Sequence, residues 1–228
     1  MNLSRRGLLG GVGAGLALHG SPLLATGGGA RRFRVLRAGD DIGEQSVEIR
    51  AGADGALQVA VDVDLRVRIL GITAYRYTMR NRETWKRGRL ISMDSRTDDD
   101  GDDDYVKAKA VGDKLEIDGS VFQGSVPGDA VSTTYWSKEF LNRKTWINSQ
   151  TGVPIEVTAA HLGAGRVDAP SGPIATERWN VKGANLDVIL HYAAAEWVSV
   201  EFDAGGEPAI YIPTEIGSDF AQLWDGSQ

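Results

Sequence analysis

Three groups of residues in this 228-residue chain have side chains suited to chemistry. The densest is acidic. Residues 94–104 read Asp-Ser-Arg-Thr-Asp-Asp-Asp-Gly-Asp-Asp-Asp, and clustered carboxylates are hard oxygen ligands for calcium. The spacing does not fit a calcium-binding loop. With Gly101 at the sixth position, Arg96 takes the first, where a carboxylate is needed, and Lys107 takes the twelfth, where Glu is needed. A solvated hairpin tip built on Asp100 and Gly101 is the simpler account, and no metal ligands are assigned. The second group is thin. Beyond the first thirty residues only His161 and His191 remain as histidines, and the chain has no cysteine. No Gly-x-Ser-x-Gly elbow and no His-Glu-x-x-His element occurs, so no catalytic residue is assigned and nothing calls for a cofactor. An enzyme acting on the cell envelope would have to use carboxylates such as Glu83 or Asp94, which the sequence does not pair. The third group is aromatic: Tyr75, Tyr77, Trp85, Tyr135, Trp136, Trp146 and Trp197 form either ordinary core or the wall of a site for a hydrophobic molecule.

Strands must position these side chains. Over residues 57–69, Leu57, Val59, Val61, Val63, Leu65, Val67 and Ile69 alternate with Gln58, Ala60, Asp62, Asp64, Arg66 and Arg68. A period of two places all seven apolar side chains on one face of a strand. At roughly 3.3 Å per residue the strand spans about 43 Å, where about 17 to 20 Å is usual. Strands of that length twist and wrap their apolar face around something. Residues 73–86 continue the pattern, with Tyr75, Tyr77, Met79 and Trp85 on one face and Arg76, Arg80, Arg82 and Lys86 on the other. Glu83 falls on the apolar face by parity. Either the strand ends or bulges before it, the simpler account, or its carboxyl is hydrogen-bonded, paired or near an open end.

Turn signals recur every ten to sixteen residues, at 39–41, 54–55, 70–71, 87–88, 100–101 and 112–113, the mark of an antiparallel meander. Further strands are predicted over 32–36, 43–50, 89–97, 105–111 and 114–117, and again over 154–162, 174–182, 186–192, 197–202 and 208–213. Between them, residues 127–152 turn to Ser, Thr, Asn and aromatic types. There Ser137 is placed to cap a turn or two of helix carrying Phe140 and Leu141. Residues 163–172 read as a mobile Gly, Ala and Pro rich loop, and the tail after Thr214 either as a short helix around Phe220, Leu223 and Trp224 or as frayed chain. The expectation is a mainly β fold: a long, strongly bent antiparallel meander, half-barrel or open barrel, of about ten to twelve strands with one short helical cover, forming a single domain over 31–228.

Residues 1–30 read as an export signal removed from the mature chain. Ser4, Arg5, Arg6, Gly7, Leu8 and Leu9 precede a weakly apolar Gly and Ala rich stretch, which suggests the twin-arginine route to the periplasm; an ordinary Sec signal leads to the same compartment. That stretch is too short and glycine-broken to span a bilayer, which takes about 20 residues, and no later segment comes closer, so a soluble mature protein is expected. Without cysteine there is no disulfide framework, thiolate metal site or lipidated N-terminal Cys. Losing Arg5 and Arg6 moves the formal charge from −6 to −8, because the first thirty residues hold no Asp or Glu. An acidic domain repels a phosphate backbone, which argues against nucleic-acid binding.

The segments "FRVLRAGDDIG" from Phe33, "YRYTMR" from Tyr75, "RLISMDSRTDDDG" from Arg89, "TTYWSKEFL" from Thr133 and "NSQTG" from Asn148 resemble a family of exported bacterial domains of unknown function, across nearly the whole mature chain. That resemblance implies no activity, and the acidic residues 102–104 depart from the family pattern. A more distant similarity, at the level of a long meander with a helical cover, is to the half-barrels of the Lol lipoprotein carriers. It implies a fold and a lipid-like ligand class, with no residue-level site. The functional expectation is a periplasmic protein holding a hydrophobic, lipid-like molecule against the concave face. Its walls would be Val61, Val63, Leu65, Val67, Tyr75, Tyr77, Met79, Trp85, Tyr135, Trp136 and Trp146. The rivals are an envelope enzyme using carboxylates and a partner-binding β scaffold with a fully packed interior.

Overall fold

The alternation over 57–69 belongs to one strand of a thirteen-stranded antiparallel sheet in the computed structural model, which describes residues 28–52, 54–217 and 220–225. A first meander runs through β1 (Gly28–Arg37), β2 (Asp40–Ala51), β3 (Ala56–Ile69), β4 (Ile72–Lys86), β5 (Arg89–Asp99), β6 (Asp102–Val111), β7 (Lys114–Gly119) and β8 (Gln123–Pro127). The chain then leaves the sheet through β9 (Val131–Ser132), a 3-10 helix (Lys138–Asn142), β10 (Thr145–Ile147) and β11 (Pro154–Glu156). It re-enters at the opposite edge with β12 (Thr158–Ala169), β13 (Gly172–Gly183), β14 (Leu186–Ala193), β15 (Glu196–Asp203) and β16 (Pro208–Ile216), and ends in helix α1 (Phe220–Asp225). β16 pairs with β1, so the two meanders join at the middle of the sheet. The edges β8 and β12 do not pair with each other, and the barrel stays open.

Because β8 and β12 are the two edges, their connection must cross the full width of the sheet. It does so over the concave face, where β9, β10 and β11 form a small sheet of their own. The short helix is capped as its sequence predicts, the Ser137 hydroxyl accepting from the Glu139 amide at 3.3 Å. The cover is fastened on both sides. Tyr192 on β14 donates to the Tyr135 carbonyl at 3.1 Å and Lys138 donates to Glu177 on β13 at 2.7 Å. Across the sheet, Gln150 donates to Asp99 and Asp104, each at 3.0 Å.

Parity places the core. Phe33 and Val35 of β1, Val47 and Ile49 of β2, and Leu57, Val59, Val61 and Val63 of β3 face inward and are buried. Arg66, Arg68, Arg76, Arg80 and Arg82 are exposed on the outer face, with Arg82 gripping both carboxylate oxygens of Asp62 at 2.9 and 3.0 Å. The acidic residues 98–104 form the β5–β6 hairpin tip, where Asp100 and Gly101 both hold positive φ. No helix among the described residues is long and apolar enough to cross a membrane.

Three expectations change. β4 neither ends nor bulges between Tyr75 and Glu83: it runs to Lys86, its register shifting against β3 only at Ala74 and against β5 only after Thr84. Residues 163–172 are no loop, since most of them continue β12, which pairs with β13 along its whole length. A Cβ on Gly165 would lie 2.6 Å from Arg178 Cγ, so the arginine side chain lies across the glycine; an edge strand needs only backbone pairing, so its small residues concealed it. β8, which the turn spacing missed, completes the count of thirteen. Most of the segment read as an export signal lies outside the described residues, but β1 already begins at Gly28, with Gly28 opposite Arg50 and Ala30 opposite Glu48.

Candidate ligand-binding cavity

The inward face of β3 and β4 is packed at one end and hollow at the other. Along β4, Trp85, Glu83, Asn81 and Met79 are buried, Tyr77 is half-buried and Tyr75 is 36% exposed. Along β3, Leu57, Val59, Val61 and Val63 are buried, while Leu65 and Val67 are only half-buried.

Large side chains from distant parts of the chain fill the packed end. Trp85 stacks on Phe140 of the cover at 5.0 Å between ring centroids and meets Trp136 edge-on at 5.7 Å. α1 brings Trp224 to 5.7 Å from Trp85 and 5.4 Å from Trp136. Trp146 packs beside Phe140, and its indole donates to the Phe140 carbonyl at 3.2 Å. α1 is held down in turn by Arg31 of β1, which is buried, ion-paired with Glu196 and stacked 4.2 Å from the Phe220 ring centroid.

At the other end lies a cavity of about 850 Å³. Val63, Leu65 and Val67 of β3 and Tyr75, Tyr77 and Met79 of β4 form one wall; Leu186, Val188, Val200, Phe202 and Tyr211 of β14, β15 and β16 form the opposite one. Tyr135 of the cover closes it between them. Its backbone holds φ +61°, a left-handed conformation that is strained for a bulky residue, and its ring sits 5.8 Å from Trp146 and 6.2 Å from Trp197. The rim is polar, with Gln45, Asn148, Gln150 and Arg37. Part of it is latched: the Tyr75 hydroxyl donates to Asp99 at 2.6 Å and Arg37 Nε donates to the Ala204 carbonyl at 2.8 Å.

Tyr77, Tyr135 and Tyr211 line this space together, so its aliphatic and aromatic walls carry phenol groups, while Thr133, Ser149, Asn185, Asp187 and Asp203 also line it. Burial pushes the Tyr77 pKa up to about 12, with Asp99 and Asp104 adding to the effect. Burial likewise raises those of Tyr135 and Tyr211. All three are neutral hydrogen-bond donors at physiological pH.

Of the eleven residues expected to form the wall, Val63, Leu65, Val67, Tyr75, Tyr77, Met79 and Tyr135 line the cavity. Val61, Trp85, Trp136 and Trp146 do not, and are buried in the packed end. The second half of the sheet and the rim amides were missing from the expected site. Nothing in their local sequence distinguishes them, since they reach the cavity only through the pairing of β16 with β1.

The carboxylates named for an enzyme do not converge. Glu83 is 1% exposed on the inner face, and its carboxyl accepts from Trp85 Nε1 at 2.7 Å and Asn81 Nδ2 at 2.8 Å. Burial pushes its pKa up, against hydrogen bonds from Ser132, Trp85 and Asn81. Asp94 is exposed on the outer face. A third polar constellation joins three strands: His191 contacts Thr176 Oγ1 through Nδ1 at 3.1 Å and Glu201 Oε1 through Nε2 at 2.6 Å. A nucleophile, base and orienting acid would be arranged in this order, but Thr176 is buried and none of the three lines the cavity. Among the described residues no group of three or more His, Cys, Asp or Glu side chains is placed to hold a metal ion.

Among curated proteins none matches the chain. A solved structure described as a β-barrel-like protein of a domain of unknown function, DUF1849, from Brucella abortus is similar in fold, with a TM-score of 0.57 at 11% identity over 84% of this chain and 97% of that one. The sequence pattern of a family described as "Domain of unknown function (DUF6134)" matches residues 33–214, which include the strands and cover that build the cavity, and the chain belongs to that family.

Proposed function

We propose that the protein binds a hydrophobic, acyl-chain-like molecule in the cavity between β3, β4, β14, β15, β16 and the cover, and does so in the periplasm after export by the twin-arginine route. One observation carries this reading: a single alternating apolar face is packed shut around Trp85 and left open around Leu65 and Tyr77. A scaffold has no use for the open half, whereas about 850 Å³ lies within the range of small-molecule sites, roughly 300 to 1,000 Å³. Aliphatic walls suit the chain of the ligand, and the neutral phenols of Tyr77, Tyr135 and Tyr211 suit a polar group on it. The strained backbone of Tyr135 favours a functional role for that ring. The distant resemblance of the sequence to the Lol-type half-barrels implies the same ligand class without naming a residue; the β-barrel-like structure similar in fold is itself of unknown function.

The test is direct. Protein purified without detergent is extracted with organic solvent and analysed by mass spectrometry, and delipidated protein is titrated with a fluorescent fatty acid. Co-purifying lipid and saturable uptake support the proposal; a clean extract with no uptake rejects it. For export, Arg5→Lys with Arg6→Lys should leave the precursor in the cytoplasmic fraction, and unchanged periplasmic recovery would reject the twin-arginine route.

A further inference from the structure

The two longest strands stay paired with each other beyond the rows at which each parts from its outer neighbour, although β2 itself runs on to Asp40. Pairing of β2 with β3 stops at Gly43 and Leu65, and pairing of β4 with β5 stops at Tyr77 and Asp99. β3 and β4 nevertheless stay paired out to Ile69 and Ile72. Residues 66–76 therefore form a two-stranded finger at the cavity's mouth, about 13 Å long at about 3.3 Å for each of four residue rows. Its tip is apolar and bare: Leu70 is 97% exposed and Ile72 is 74% exposed. Leu70 also holds φ +53°, a turn conformation that Asn or Asp adopts with less strain, so the requirements of the turn do not explain a leucine there. Below the tip, Arg66, Arg68 and Arg76 are exposed. Arg66 pairs with Asp64 at 2.9 Å, while Arg68 and Arg76 make no ion pair among the described residues. On the inner side, Val67, Ala74 and Tyr75 belong to the finger and to the cavity wall at once.

Two apolar side chains on a narrow tip offer on the order of 200 Å², where a stable protein interface takes about 800 Å² from each partner. A bilayer needs no complementary surface. Leucine and isoleucine enter the acyl region while the arginines stop at the phosphates, as in other interfacial anchors. The acidic β5–β6 turn ends level with Arg76, whose carbonyl accepts from the Asp100 amide at 2.7 Å. It therefore lies about 13 Å short of the tip, beyond the roughly 8 Å over which physiological salt screens charge.

We infer that residues 66–76 dock the protein on a phospholipid surface and set the cavity's mouth at the headgroups, so that an acyl chain passes along Val67, Ala74 and Tyr75 into the interior. The docking stands on the finger alone; the passage rests on the cavity's being a ligand site.

The absence of cysteine allows Leu70→Cys and Ser171→Cys each to be labelled with an environment-sensitive dye, Ser171 lying in the β12–β13 turn at the far end of the sheet. On vesicles of phosphatidylethanolamine and phosphatidylglycerol, emission at position 70 shifts to the blue and emission at 171 does not. In co-sedimentation with these vesicles, Leu70→Glu with Ile72→Glu weakens binding at least tenfold. Arg68→Glu with Arg76→Glu weakens it several-fold, more so at low salt. Both double variants keep fatty-acid uptake, whereas Leu65→Trp loses uptake and keeps vesicle binding. No shift at position 70, equal shifts at both positions, or vesicle binding indifferent to Leu70→Glu with Ile72→Glu overturns the inference. A wild-type dimer that this variant converts to monomer, without vesicle binding, overturns it in favour of an interface between copies. Absent fatty-acid uptake with vesicle docking intact overturns the cavity reading and leaves the docking surface supported.

Discussion

Leu65 on β3 lies directly opposite Tyr77 on β4, and at this pair the interior of the sheet changes from packed to hollow. Two residues deeper, Val63 faces Met79 and both are buried; two residues outward, Val67 faces Tyr75 on the half-open wall. Leu65→Trp is expected to fill the cavity and lower affinity for a fluorescent fatty acid at least tenfold, with stability within about 1 kcal/mol of wild type because the added ring enters empty space. Val61→Ala, two rows deeper than Val63, should do the reverse: a loss of about 1 to 3 kcal/mol with unchanged uptake. Urea unfolding and probe titration on the same samples check both.

Glu83 gives stability a pH dependence of definite sign. Well below the ordinary Glu pKa of about 4.3, folded and unfolded chains both hold the proton. As pH rises, the unfolded chain releases it first, because burial has raised the folded value. Wild type therefore loses stability relative to Glu83→Gln, by up to about 1.4 kcal/mol per pH unit, until pH passes the raised value, above which the difference is constant. The glutamine is tolerated because Asn81 Oδ1, which has no partner, can turn to accept from the new amide while Trp85 Nε1 keeps an oxygen. Thermal unfolding of both proteins across the pH series measures the difference, and parallel curves would contradict this account.

Trp224→Ala separates the closed end from the open one. Trp224 packs against Trp85, Trp136 and Phe140, so its removal should cost about 3 to 5 kcal/mol. The residue does not line the cavity, and uptake per folded molecule should hold, as measured by probe titration at a temperature where the variant remains folded.

Gly43→Ala tests the rim. Gly43 holds φ +137°, and a Cβ there would fall 2.1 Å from the Asp64 carbonyl oxygen. The β2–β3 ladder must open beside Leu65, its partner in the register, at a cost of at least about 2 kcal/mol. The urea midpoint and probe affinity should fall together.

The alternation over 57–69 was sufficient by itself to place a strand, its two faces and its outward arginines, because the direction of a side chain along extended backbone is a local property. Ser137 as a cap and Asp100–Gly101 as a hairpin tip were legible for the same reason, and a short helix around Phe220 and Trp224 was one of two readings of the tail: each depends on a few adjacent residues. By parity alone Val61 and Leu65, or Trp85 and Tyr77, are equivalent. Tertiary structure distinguished them, by bringing Trp136, Phe140, Trp146 and Trp224 over one end of the face and the single ring of Tyr135 over the other. It also decided that residues of β12 would be strand, because an edge strand of small residues is held by its partner's backbone, and that Glu83 would lie within the core, because Trp85 and Asn81 supply the hydrogen bonds its burial requires. Side-chain direction is set within two or three residues; volume is filled or left empty by residues a hundred positions apart.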